Sequence, residues 1–160
     1  MGVLAVGAKI AAVREEGRGQ LNLEPAEARR RFAAATVARL ATVGPGGGPH
    51  IVPVTFAVDG DVIYSAVDAK PKTTTRLARL RNIAAQPRVA VLADHYEPDW
   101  DRLWWARADG AATLLAGAAE MAAPLALLAA RYPQYRATPP PGPVIRIQVG
   151  RWTGWAASPG

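Results

Sequence analysis

Two of the chain's three lysines stand within three residues of each other, in Lys70-Pro71-Lys72-Thr73-Thr74-Thr75-Arg76. The pattern around them places this stretch between a strand and a helix. Pro71 would preset the backbone of the helix's first turn. The free N–H groups of such a turn point outward and carry partial positive charge. Two ammonium groups, three hydroxyls and a guanidinium surround the same spot, so a phosphate there would meet main-chain and side-chain donors together. Each charge-assisted bond is worth roughly 1.5–3 kcal/mol where solvent is excluded. The plainer alternative is a threonine N-cap flanked by solvated lysines. Clustering of so rare a residue favours the anion site.

The second chemical feature is aromatic. Five Trp in 160 residues is a high content, and core packing accounts for most tryptophans. Trp104 and Trp105 are adjacent, however, and neighbours in a strand face opposite sides. One of them must meet a ligand, a partner subunit or solvent, and a subunit or ligand contact is the favoured reading. Pro53 adds a third clue. It sits in an alternating segment yet cannot donate to a ladder, so its strand lies at an edge, a bulge or an opening in a barrel.

Much else is excluded. Without Cys there is no disulfide scaffold, thiolate zinc site, iron–sulfur cluster or cysteine nucleophile. His50 and His95 are the only histidines, so no metal centre is expected. Ser65 and Ser158 are the only serines and neither lies in a G-x-S-x-G turn. The run Gly44-Pro45-Gly46-Gly47-Gly48 matches neither phosphate-loop nor dinucleotide spacing and reads as a hairpin connection. The net charge of +6 is carried mostly by arginine, which suits phosphate or carboxylate recognition. Nucleic acid is not expected as a partner, because no aromatic platform on a recognisable RNA-binding fold accompanies the arginines. The apolar start is interrupted by Lys9 and is too short to span a bilayer, so neither a membrane association nor a signal peptide is expected. The expected compartment is the cytoplasm.

These residues need a scaffold. Residues 1–20 read as a flexible N-terminal extension and 21–160 as one domain. A helix is expected over 23–37, with Pro25 in its first turn. An apolar strand 38–43, the glycine turn and an alternating strand 50–58 follow; Asp59-Gly60 turns into a partner strand 62–67. A helix is expected from Pro71 to Gln86, with Leu77, Leu80 and Ile83 or Ala84 inward and Arg76 and Arg79 pointing away. Strand 88–93 leads through an acidic loop to a long strand 103–115, bulged near Gly110. After a helix over 118–131 and a Pro-rich loop over 132–143, two strands, 144–149 and 152–157, close the chain. Hairpins dominate, so the fold is mainly β with peripheral helices, best fitted by a small antiparallel barrel.

Ordered motifs along this frame carry a resemblance. Leu40-Ala41-Thr42-Val43, the glycine turn, Pro49-His50-Ile51-Val52-Pro53-Val54-Thr55-Phe56 and Lys70-Pro71-Lys72 come first. Arg81-Asn82-Ile83, Pro87-Arg88-Val89, Asp101-Arg102-Leu103-Trp104-Trp105, Arg131-Tyr132-Pro133-Gln134-Tyr135 and Arg151-Trp152-Thr153-Gly154-Trp155 follow. Together, across residues 21–157, they resemble the deazaflavin-dependent branch of the pyridoxamine-phosphate-oxidase-like family, within the FMN-binding split barrels. Each motif is weak alone; their order and spacing give the set its specificity.

The resemblance implies a split β-barrel homodimer with cofactor sites at the subunit interface. The implied cofactor is coenzyme F-420, a hydride-carrying flavin analogue, with FMN as the alternative. By position, Pro53, Val54 and Thr55 would lie along the deazaflavin ring, and Ser65 and Ala66 beside the phosphate-bearing tail. Lys70, Lys72, Thr73, Thr74 and Arg76 would hold the phosphate, and Trp104, Trp105 and Trp152 would wall the pocket, from the same copy or across the dimer. A departure from many relatives is the longer helix from Lys72 to Pro87, which would move the anion site towards Arg79 and Arg81. The implied activity is hydride transfer between cofactor and a small unsaturated substrate. The alternatives are an FMN oxidoreductase of the same fold and a non-catalytic cofactor carrier. No catalytic residue stands out: His50 reads as a strand-end surface histidine, and no protein nucleophile is needed.

Overall fold

A computed structural model describes residues 22–68 and 77–158. In chain order the elements are α1 (Pro25–Ala34), β1 (Ala38–Val43), β2 (Pro49–Val54), β3 (Ala57–Asp59), β4 (Val62–Ala66), α2 (Ala78–Ala85) and β5 (Arg88–His95). A short 3-10 turn (Trp100–Arg102), β6 (Trp104–Leu115), α3 (Ala118–Arg131), α4 (Pro133–Ala137) and β7 (Val144–Ala156) complete the described chain. The seven strands form one antiparallel sheet in the order β2-β1-β5-β6-β7-β4-β3.

That order has a geometric consequence. β2 and β3 are consecutive in the chain, yet they occupy opposite edges of the sheet. Only Thr55 and Phe56 lie between them. Consecutive Cα atoms are about 3.8 Å apart, so the two edges approach to within roughly 11 Å. The sheet must therefore curl almost shut, leaving a seam where β2 and β3 face each other unpaired. The expected continuous strand 50–58 is in fact two strands, broken at Thr55-Phe56 because each half pairs with a different edge neighbour. Pro53 lies on the edge strand β2, opposite Arg39, and so does not interrupt a central ladder.

Curling is helped by a bulge. In the β6–β7 ladder Asp109 faces Arg151 but Gly110 faces Val149, so Gly150 is the extra residue. A Cβ on Gly110 would stand 2.3 Å from the Gln148 carbonyl oxygen, an approach only glycine permits. The two closing strands expected from the sequence are thus a single 13-residue strand bent at this bulge. Its first half pairs with β4, and its second half accepts the Leu23 N–H at the Gly154 carbonyl.

The curled sheet encloses Leu40, Phe56, Ile63, Val91, Ile145 and Ile147, all essentially buried. α1 plugs one end with Phe32, whose ring lies 4.9 Å from Phe56 and 5.3 Å from Trp152. Pro25 opens α1 as expected, but the helix stops at Ala34 rather than Val37, because Ala35 is already extended. Leu77 is likewise extended (φ −67°, ψ 130°), so α2 begins at Ala78 and not at Pro71. The anion site expected at the first turn after Pro71 therefore has no counterpart in α2, and Lys70, Lys72, Thr73, Thr74 and Arg76 lie outside the described residues. So does the extension 1–20. The Pro-rich stretch 132–143 contains α4, opened by Pro133 at its first position. Among the described residues no helix is long and apolar enough to cross a membrane.

Candidate functional site

The seam between β2 and β3 is where separate elements converge on one cleft of about 420 Å³. The end of β2 supplies Pro53, Val54 and then Thr55; the end of β4 supplies Ser65 and Ala66. α2 contributes Arg79, and the α4 region contributes Tyr132, Gln134 and Tyr135, with Val37 and Asp68 at the margins. The volume falls within the range of about 300–1,000 Å³ typical of small-molecule sites.

Polar chemistry is sparse and placed. Thr55 Oγ1 and Tyr135 Oη are 2.8 Å apart. Tyr132 Oη accepts the Phe56 N–H at 3.0 Å and lies 2.9 Å and 3.0 Å from the carbonyl oxygens of Phe56 and Thr36. The preceding Arg131 clamps the end of α1, donating to the carbonyls of Ala33 (2.6 Å) and Ala35 and lying 4.8 Å from the centre of the Phe56 ring. These bonds fasten α4 across the seam, on the two residues where the sheet changes edge.

Arg79 is the described cation of this cleft. It occupies the first turn of α2 and is half-buried, and its buried Nε has no hydrogen-bond partner among the described residues. Burial pushes its pKa below the ordinary guanidinium value, partly offset by the negative charge of Asp68. A half-buried guanidinium with an idle donor is suited to an anionic group of a ligand. The expectation that Arg79 points away is therefore corrected: Arg79 lines the cleft, while Arg81 is exposed.

A second hollow of about 590 Å³ lies on the outer face of the sheet, lined by Arg39, Ala41, Ile51, Ala90, Leu92, Asp94, Trp105 and Arg107. Its arginines have carboxylate partners, Asp94 for Arg39 and Asp109 (3.1 Å) for Arg107, although the buried Nε of Arg107 is unpartnered among the described residues, as that of Arg79 is. The cleft at the seam, where two strand ends, a helix and the α4 region converge, is the stronger candidate.

The family model described as pyridoxamine 5'-phosphate oxidase matches residues 24–156. The chain belongs to this family. No curated protein matches it. Among solved structures, a conserved hypothetical protein from Mycobacterium tuberculosis is 21% identical, with a TM-score of 0.69 over 86% of this chain and 88% of that one. A FAD-binding protein from Mesorhizobium loti is 20% identical (TM-score 0.64; 83% and 94% covered). A FAD-binding protein from Mycobacterium smegmatis is 18% identical (TM-score 0.57; 84% and 95% covered). These likenesses establish the split-barrel fold that the resemblance implied.

In this member of the pyridoxamine 5'-phosphate oxidase family, five of the expected site residues share one cleft: Pro53, Val54, Thr55, Ser65 and Ala66. The tryptophans do not join them. Trp152 is buried in the core, its indole N–H donating to Asp61 at 2.9 Å. Trp104 packs against the core, and Trp105 lines the outer hollow. Sequence reasoning gave no site role to Tyr132, Gln134 or Tyr135. The available signal was a pair of tyrosines around Pro133, one just before the helix it opens and one within its first turn.

Proposed function

We propose that this chain is an oxidoreductase whose seam cleft holds coenzyme F-420 and serves hydride transfer to or from a small unsaturated substrate. The observation that carries this reading is the meeting of two bare strand ends, Pro53–Thr55 and Ser65–Ala66, with the half-buried Arg79. A flat ring suits the strand ends, where Pro53 and Ala66 add little bulk. An anionic tail suits Arg79, whose unpartnered Nε is the test of fit. Asp68 and Arg79 flank the lysine-bearing segment in sequence, and both line the cleft. That supports a phosphate role for Lys70, Lys72, Thr73, Thr74 and Arg76.

When bound, the cofactor supplies the hydride chemistry. The chain supplies position and exclusion of water. Arg79 would neutralise the tail, and the strand ends would fix the plane of the ring. α4, fastened by Arg131 and Tyr132, would keep water from one side. Holding the reacting carbons about 3–3.5 Å apart is the main service such a pocket offers.

The partner in this reading is a second copy of the chain. Pro53, Arg39, Leu92 and Arg107 stand in one row across β2, β1, β5 and β6, so the outer hollow runs on from the Pro53 wall of the cleft. Ile51, 65% exposed, and Trp105 provide apolar surface there. The paired charges would not repel a copy of a chain bearing +6 overall.

FMN is the second reading, favoured by the FAD-binding descriptions of two structural neighbours. Titration of the apoprotein with each cofactor, followed by fluorescence quenching, tests both. Tighter binding of coenzyme F-420 is expected; tighter FMN binding moves the reading to a flavin enzyme, and binding of neither overturns it. A cofactor carrier would bind without turning over any unsaturated acceptor.

A further inference from the structure

Tyr132 and Tyr135 approach the cleft from the same side, but their hydroxyls are in different states. The single proton of Tyr132 is claimed by the carbonyls of Phe56 and Thr36, and its oxygen accepts the Phe56 N–H. The Tyr135 hydroxyl has one hydrogen-bond partner among the described residues, Thr55 Oγ1 at 2.8 Å. Two hydroxyls carry two protons, and one mutual hydrogen bond uses one of them. The other O–H is left over at the wall of the cleft, on the phenol if Thr55 donates and on Thr55 if the phenol donates. A half-buried O–H without an acceptor is poorly satisfied, and a ligand atom can satisfy it.

We propose that Thr55 and Tyr135 act as one shared hydrogen-bond donor, reading an acceptor atom on the molecule held in the cleft. The inference rests on the cofactor reading above, under which that atom is a ring carbonyl oxygen or ring nitrogen. The arrangement makes an unusual demand on mutation. Removing either hydroxyl frees the proton of the one that remains, so each single variant keeps a donor. Removing both leaves the acceptor facing an apolar wall, with its water lost and nothing in return. The pair thus favours ligands with an acceptor at this place: a ligand donor could use a hydroxyl lone pair but would leave the spare O–H unsatisfied.

The test is a double-mutant cycle on dissociation constants, read by fluorescence quenching with coenzyme F-420 and with FMN. Tyr135→Phe and Thr55→Val are each expected to weaken binding by about twofold or less, and the double variant by tenfold or more, well beyond the roughly fourfold that independent effects would multiply to. In the Tyr135→Phe background, Thr55→Ser should bind like the single variant, since it keeps a hydroxyl where Thr55→Val does not. Thermal midpoints of all variants separate this from a purely structural role, which would shift the midpoints and give single effects that multiply. Wild-type binding combined with multiplying effects overturns the shared donor and leaves the cofactor reading standing. Binding of neither cofactor by the wild type overturns both.

Discussion

Replacing Arg79 with methionine separates a binding cation from a structural one. The side chain sits in the first turn of α2, half-buried in the cleft, with its Nε idle and its pKa lowered by burial. Burial makes charge in that position a net cost to the ligand-free protein, only partly offset by Asp68, and a bound anion would turn it into a gain. A hydrogen bond to a charged group is worth about 1.5–3 kcal/mol. Arg79 is only partly shielded from water, so the lower part of that range applies, about 1.5–2 kcal/mol. At about 1.4 kcal/mol per factor of ten, Arg79→Met should weaken cofactor binding roughly 10- to 30-fold. Methionine keeps the apolar stem and loses the charged head, so the thermal midpoint of the ligand-free protein should stay level or rise. Fluorescence titration at low and high salt supplies the assay, and the variant should show the shallower salt dependence. Arg81→Met is the control, since Arg81 is exposed and lines neither cleft. Unchanged affinity in Arg79→Met, or an equal loss in Arg81→Met, would refute the reasoning; so would a midpoint that falls by several degrees.

Two further predictions concern how the site is held. Tyr132→Phe deprives the Phe56 N–H of its acceptor at a fully buried residue, at a cost of about 1–3 kcal/mol; the thermal midpoint should drop by about 2–4 °C per kcal/mol, and an unshifted midpoint would show that the clamp is dispensable. Asp61 is held below the ordinary carboxylate value of 3.8 chiefly by the Trp152 indole N–H, then by Arg29 at 3.1 Å. A depressed folded pKa adds stability in full above the unfolded value, and that stability is lost as pH falls through the folded value. Asp61→Asn should therefore cost stability at neutral pH, with a gap that narrows below pH 3.8 in urea titrations. A gap independent of pH would contradict this.

Most strands and hairpins and the irregularity beside Gly110 were legible because each is written locally, although the extra residue, Gly150, lies on β7 and the segments 50–58 and 144–157 divide otherwise than their patterns suggest. Alternation reports a half-buried strand, Asp59-Gly60 a tight turn and Pro53 an edge. Motif order further pointed to Pro53–Thr55 and Ser65–Ala66, which the fold brings to one cleft. The start of α2 was misjudged because Pro71 is a plausible first-turn residue, whereas the extended conformation of Leu77 is not marked by any local signal. Trp152 and Trp105 illustrate the same limit. Each is a tryptophan in a strand, and only the curl of the sheet decides that one packs on Phe32 while the other faces outward.

By itself, then, the sequence determined which segments are strands, where the chain turns and which family the ordered motifs belong to. Tertiary structure alone decided that β2 and β3 lie on opposite edges and meet across Thr55-Phe56. It alone brought Tyr135 to Thr55, 80 residues away in the chain, and turned Arg79 into the cleft. The physical reason is that periodicity records which face of a strand is buried, whereas a seam is made by strand order, and order is fixed only when every strand competes for its neighbours at once.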